Sequence, residues 1–175
     1  NYYRDEDDNA MMQFKEIDGE IFNESLPVNI FMGVDPASSV KRTADYSAIV
    51  TIAIDKRGNR YVLPYYQKRA TPMTLAEAII EQFKMYKPDK VRIESIGYQE
   101  MLREYLKNRC EEENLFIPGL EIKETPRNSK SIRLEQLQPY FAQGKFHLLD
   151  DMQALKDELL LFPRGKHDDL LDGLY

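Results

Sequence analysis

Apolar residues in the first third of the chain predict three successive strands. The run IFMGVD ends on Asp35, and YSAIVTIAID, which is rich in β-branched residues, stops at the turn KRGN. RYVLPYYQKR is interpreted as a third strand with Pro64 at a bulge or an edge, because proline cannot donate to a sheet. Short connections between the three strands predict an antiparallel meander.

Helical periodicity begins after this meander. Thr71 before Pro72 is a helix start signal, and Pro88 closes the same element. Further helices are predicted in YQEMLREYLKNRCEEE, KSIRLEQLQPYFAQGK, MQALKDELLLF and at the end of the chain, separated by the short strands KVRIES, GLEIKET and FHLL. Three strands followed by alternating helices and strands predict an α/β fold, a ribonuclease H-like mixed sheet with helices on both faces.

Charge is unevenly distributed along the 175 residues, whose formal net charge is −6. Residues 1–29 carry eight acids and two bases, and residues 30–175 are neutral. The sequence therefore predicts an acidic linker or the remnant of a preceding region over residues 1–29, with its first half helical, and a single domain over residues 30–175. A neutral domain whose acids gather in one cleft has basic surface left for a polyanion such as DNA.

Two absences bound the expected setting. No apolar run approaches the roughly 18 residues of a membrane span, so no membrane interaction is expected. Cys110 is the single cysteine, which excludes a disulfide within the chain and favours a reducing cytoplasm.

Acidic residues stand at the places where an α/β sheet collects ligands. Asp35 ends the first predicted strand of the meander, and Glu94 ends the strand KVRIES. If these two strands are neighbours, both carboxylates face one cleft at the carboxyl ends of the strands. Asp168 and Asp169, at the start of the last helix, could reach the same edge. Oxygen ligands without a histidine or cysteine cluster suit Mg²⁺ or Mn²⁺, and two such ions can hydrolyse a phosphodiester.

Each acid also has an ordinary explanation. An aspartate at a helix start commonly caps that helix. Asp45, at the start of the second strand, is predicted to support the metal ligands without binding the metal itself. Asp172 lies one turn into the last helix, which is too deep for a cap, and His167 comes directly before the aspartates. Both are also predicted to support the metal ligands without binding the metal themselves. Gly173 would let this helix approach the sheet closely.

Four stretches together resemble a known family. IFMGVDPA, DYSAIVTIA, VRIES and GKHDDLLDGL are similar to the C-terminal nuclease domain of the large terminase subunit of tailed bacteriophages, over about residues 30–175. The resemblance implies a ribonuclease H-like fold and divalent-cation-dependent cutting of concatemeric double-stranded viral DNA during packaging. It implies that Asp35, Glu94 and one of Asp168 and Asp169 are catalytic metal ligands. Asp169 is favoured as the inner ligand.

The resemblance also implies partners. In a full large terminase these would be an ATPase domain, the small terminase and the portal, within the host cytoplasm. No G-x-x-x-x-G-K-[ST] phosphate loop occurs, so the ATPase motor is expected to be absent from this chain, and the isolated domain is expected to be monomeric.

Basic residues before and within the helix KSIRLEQLQPYFAQGK are the main candidates for DNA contacts. Lys130, Arg127 and Arg133 lie at a loop that leads into a helix start, and Lys41 and Arg42 follow Asp35 in another loop. A solvated helix face is the alternative interpretation. Contacts of this kind predict backbone binding with little sequence preference.

Two other functions remain open on the sequence. One is another ribonuclease H-like nuclease, such as a Holliday-junction resolvase. The second is a non-catalytic module that binds DNA or the portal.

Overall fold

Nine strands and five helices make up the part of the chain that the computed structural model describes: residues 1–13, 25–36, 46–94, 99–118, 120–123, 130–162, 164 and 169–174. The strands are β1 (Tyr2–Arg4), β2 (Ala10–Gln13), β3 (Ser25–Asp35), β4 (Ser47–Asp55), β5 (Arg60–Val62), β6 (Tyr66–Lys68), β7 (Lys90–Glu94), β8 (Glu121–Lys123) and β9 (Phe146–His147). The helices are α1 (Pro72–Tyr86), α2 (Gln99–Glu112), α3 (Lys130–Ala142), α4 (Gln153–Leu161) and α5 (Asp169–Gly173).

Strand β3 lies at the centre of one mixed sheet. It pairs antiparallel with β4 from Val28 opposite Asp55 to Asp35 opposite Ala48. On its other side the second half of β3 pairs in parallel with β7, and β7 pairs in parallel with β8. The predicted α/β fold with a ribonuclease H-like strand order is therefore confirmed.

The predicted meander is confirmed, and its third strand is divided at Pro64. β5 and β6 both pair antiparallel with β4, and Leu63 still donates its N–H to the carbonyl of Thr51 at 2.9 Å. Pro64 has no N–H to offer the ladder, which explains the interruption after this bond.

The described part of residues 1–29 forms strands of the sheet, and the division of the chain at residue 30 stays a prediction. β1 and β2 form an antiparallel hairpin, and β2 pairs with the first residues of β3, which begins at Ser25. The expected helix over the first residues is wrong. Ala10 and Met12 alternate as buried residues, so their two-residue period outweighs the high local charge. Arg4 fixes the hairpin by donating to the carbonyls of Tyr86 and Lys87.

Helices cover both faces of the sheet, as predicted. Met32 and Val34 of β3 pack with the buried residues of α1 and α2 on one face. On the opposite face, Ala48 and Val50 of β4 pack with α4 and α5. Thr71 caps α1 through a reciprocal bond with Thr74, which places the helix start where the sequence predicted it. None of the described helices combines the length and apolar character that a bilayer span requires.

Candidate metal site

Asp35 and Glu94 are neighbours because the strands that end on them are neighbours. Val34 of β3 is in register with Ile93 of β7, so the next residue of each strand carries its carboxylate at the same edge of the sheet. Asp35 is buried, with 6% of its surface exposed, and Glu94 is half-buried. The assumption on which the sequence prediction of one cleft depended, that these two strands are adjacent, is confirmed.

A third carboxylate joins them from helix α5. One oxygen each of Asp35, Glu94 and Asp172 lie within 4.8 Å of one another. Asp172 is half-buried, like Glu94. Three elements distant in sequence (two strands and one short helix) therefore supply the cluster, which we call the carboxylate triad.

Contact between two glycines brings α5 close enough to the sheet. A Cβ atom built on Gly33 of β3 would overlap the carbonyl oxygen of Gly173, so the helix backbone lies directly on the strand. A Cβ atom on Gly173 would lie 3.0 Å from Cγ2 of Val50 in β4. The predicted close approach of Gly173 to the sheet is confirmed, and Gly33 is its counterpart in the strand.

Asp169 lies at the start of α5 and outside the carboxylate triad. It is buried, with 6% of its surface exposed. Residues three apart on a helix are neighbours, so Asp169 adjoins Asp172 on the same helix. The sequence interpretation gave the inner ligand position to Asp169 and placed Asp172 behind it, whereas the structure brings Asp172 to Asp35 and Glu94. The choice of inner ligand stays a prediction.

Glu158 of α4 is a buried acid that sequence reasoning missed. It accepts hydrogen bonds from the backbone N–H groups of Leu170 and Leu171 at 2.9 and 3.2 Å, and from Nε2 of Gln67 at 3.0 Å. A signal was present, because Glu158 falls three residues after Leu155, on the apolar face of its helix. Burial raises the pKa of Glu158 to about 7, with a further contribution from the charge of Asp169.

This raised pKa predicts how stability depends on pH. Between the ordinary pKa of 4.5 and about 7, the folded protein holds a proton on Glu158 that the unfolded chain releases. The contribution of this carboxyl to the free energy of unfolding therefore falls as the pH rises through that range, by up to about 1.4 kcal/mol per pH unit. Denaturant titrations in EDTA give the free energy of unfolding of the parent and of Glu158→Gln at each pH, and the difference between these two free energies measures the effect. A difference that stays constant over the range contradicts the prediction.

Two of the other predicted site residues lie in a described helix. Lys130 and Arg133 belong to the first turn of α3. The remaining candidates lie outside the described residues: Lys41, Arg42, Asp45, Arg127, His167 and Asp168.

The chemistry of the triad favours a hard divalent cation. Its three donors are carboxylates, and carboxylate oxygens suit Mg²⁺ and Mn²⁺ better than softer metals. Carboxylates this close repel each other when ionised, and a cation among them relieves that repulsion. The triad therefore fits a metal site.

The strand order and the acids at the sheet edge define the class of this protein as ribonuclease H-like. The chain belongs to the family described as the terminase RNaseH-like domain, whose model matches residues 32–174. This finding confirms the family resemblance of the four sequence stretches. No curated protein matches the chain significantly by sequence.

Solved structures agree with this fold. The large terminase nuclease from thermophilic phage G20c with bound magnesium is similar at a TM-score of 0.64 and 16% identity, over 99% of this chain and 87% of that one. The same nuclease with bound cobalt gives a TM-score of 0.61 at 16% identity, with the same coverage. The Fowlpox virus resolvase in complex with Holliday junction DNA has a TM-score of 0.49 at 14% identity, over 82% of this chain and 92% of that one. This TM-score is too low to bear on function.

Proposed function

We propose that this chain is the metal-dependent endonuclease domain of a viral DNA-packaging terminase and cuts concatemeric double-stranded DNA. The observation that carries the proposal is the carboxylate triad at the carboxyl edge of a terminase-family domain. Asp35, Glu94 and Asp172 would hold the cation. The magnesium and cobalt named for the phage G20c nuclease support a divalent ion as cofactor.

Asp169 supports the further proposal of a two-metal site. Asp169 is a fourth carboxylate beside the three of the triad; it lies on α5, one turn before Asp172, and Asp168 precedes it in the sequence. Bound cations would supply an activated water and stabilise the leaving oxygen of the phosphodiester. The residues of this chain contribute by holding their carboxylates at a fixed spacing, with Asp35 buried and therefore restricted in its movement. The proposed physiological ion is Mg²⁺ or Mn²⁺.

DNA contacts are proposed for the basic residues near α3. Lys130 and Arg133 are at the start of that helix, where free N–H groups and positive side chains together favour phosphate. Arg127, Lys41 and Arg42 are proposed on sequence grounds. In the full-length protein an ATPase domain, the small terminase and the portal are the proposed partners.

Cleavage of supercoiled plasmid DNA tests the proposal. We expect nicked and linear products with Mg²⁺ or Mn²⁺ and none in EDTA. DNA retention without cutting in either metal would support the non-catalytic binding module instead. Faster cutting of a four-way junction than of a linear duplex would support the resolvase alternative.

A further inference from the structure

Glu158 of α4 forms hydrogen bonds with α5, the helix that carries Asp172, and with strand β6. Its Oε2 accepts the N–H groups of Leu170 and Leu171 in α5, and its Oε1 accepts Nε2 of Gln67 in β6. The side chain itself comes from α4 and is 7% exposed. One carboxylate therefore links the start of α5 to an edge of the sheet and to a second helix.

The bonds to α5 are those that an N-cap side chain normally makes. The first N–H groups of a helix have no partner within it, and a cap residue just before the helix usually accepts one of them. Here Glu158 accepts two of them from twelve and thirteen residues away in sequence. The start of α5 is thereby fixed to the packed body of the domain.

The start of a helix needs such a contact, because its first N–H groups gain no partner from within the helix. The described part of α5 begins at Asp169, and Leu170 and Leu171 belong to its first turn. Metal ligands need to be held within about 0.5 Å of a productive geometry, and the residues that contact these ligands determine whether they are held there. Gly33 and Gly173 set the distance of α5 from the sheet, but a glycine contact alone does not fix its rotation or its position along the strand.

We infer that Glu158 is a positioning residue, which fixes α5 so that the Asp172 carboxylate meets those of Asp35 and Glu94. This inference rests on the proposed function, since it concerns the same metal site. Glu158 acts through hydrogen-bond geometry and is not itself a ligand, because both of its oxygens face N–H donors.

Two substitutions separate geometry from charge. Glu158→Gln keeps the length of the side chain: its amide oxygen accepts the two N–H groups, and its NH₂ group faces Gln67, whose amide rotates to accept it. Glu158→Asp keeps the carboxyl group but withdraws it by one methylene. The exposed Glu104 of α2 provides the matched control Glu104→Gln.

The readout is Mn²⁺ affinity at one fixed pH, measured by titration calorimetry below the unfolding temperature of every variant. We expect Glu158→Gln and Glu104→Gln to bind Mn²⁺ like the parent, and Glu158→Asp to bind it at least about tenfold more weakly. Parental affinity in Glu158→Asp would overturn the inference. So would an equal loss in both Glu158 variants, since the hydrogen-bond geometry that Glu158→Gln keeps would then not be what positions the ligand.

Failure of this inference is distinguishable from failure of the proposed function. If the parent binds no Mn²⁺, or if Asp35→Asn binds it as tightly as the parent, the proposed metal site itself is wrong. If Asp35→Asn loses Mn²⁺ while Glu158→Asp retains it, only the positioning role of Glu158 is rejected.

Discussion

Asp35→Asn and Glu94→Gln should each reduce metal-dependent plasmid cutting by at least about 100-fold. Each substitution removes an anionic oxygen from the carboxylate triad and leaves the side-chain shape unchanged. Changing only the groups that support metal ligands commonly lowers affinity or activity 10- to 100-fold, so loss of a ligand should have at least the larger effect. Initial rates of nicking in Mg²⁺ and in Mn²⁺ measure it.

Stability in EDTA serves as the folding control for these variants. Carboxylates whose oxygens lie within 4.8 Å of one another repel each other when ionised, so replacing one by its amide should leave the unfolding temperature in EDTA equal to that of the parent or higher. Asp151→Asn and Glu104→Gln, at exposed positions, should cut like the parent. Undiminished cutting by Asp35→Asn or Glu94→Gln would reject the catalytic role of the triad.

Gly33→Ala should be the most damaging single-methyl substitution at this site. The new Cβ would overlap the backbone carbonyl of Gly173, and a backbone carbonyl cannot rotate away as a side chain can. α5 must therefore move, which displaces Asp172 from Asp35 and Glu94. We expect destabilisation at the upper end of the roughly 1–3 kcal/mol typical of overpacking, together with loss of cutting. Denaturant titration and the plasmid assay measure the two effects.

Gly173→Ala is the matched comparison for Gly33→Ala. Its Cβ would lie 3.0 Å from Cγ2 of Val50, a side-chain atom that can shift by a few tenths of an ångström. We expect a smaller loss of stability, about 1 kcal/mol, and partial retention of cutting. If Gly33→Ala is as stable and as active as Gly173→Ala, the direct contact between β3 and α5 does not hold the site together.

Much of the fold was predictable because local patterns and tertiary packing agree. The apolar run that ends on Asp35 became the central strand, and the helix after Thr71 begins at its predicted start. The amino-terminal hairpin was not predicted, because its clustered charges obscured the short alternation around Met12. Its pairing with β3 is a long-range contact that no local pattern encodes.

The candidate site was predictable to the level of its strands but not of its helix. Asp35 and Glu94 follow from the parallel pairing of the strands that they end. The relative positions of Asp169 and Asp172 depend on how α5 rotates against the sheet. That rotation depends on Glu158, and the distance of α5 from the sheet depends on Gly33; both residues lie outside α5 in the sequence.

Anomalous diffraction from crystals grown with Mn²⁺ would show directly which residues hold the cation. We predict an anomalous peak for a manganese ion that is coordinated by carboxylate oxygens of Asp35, Glu94 and Asp172. A well-ordered site with no manganese at these three residues, or with the ion held by other residues only, would contradict the assignment.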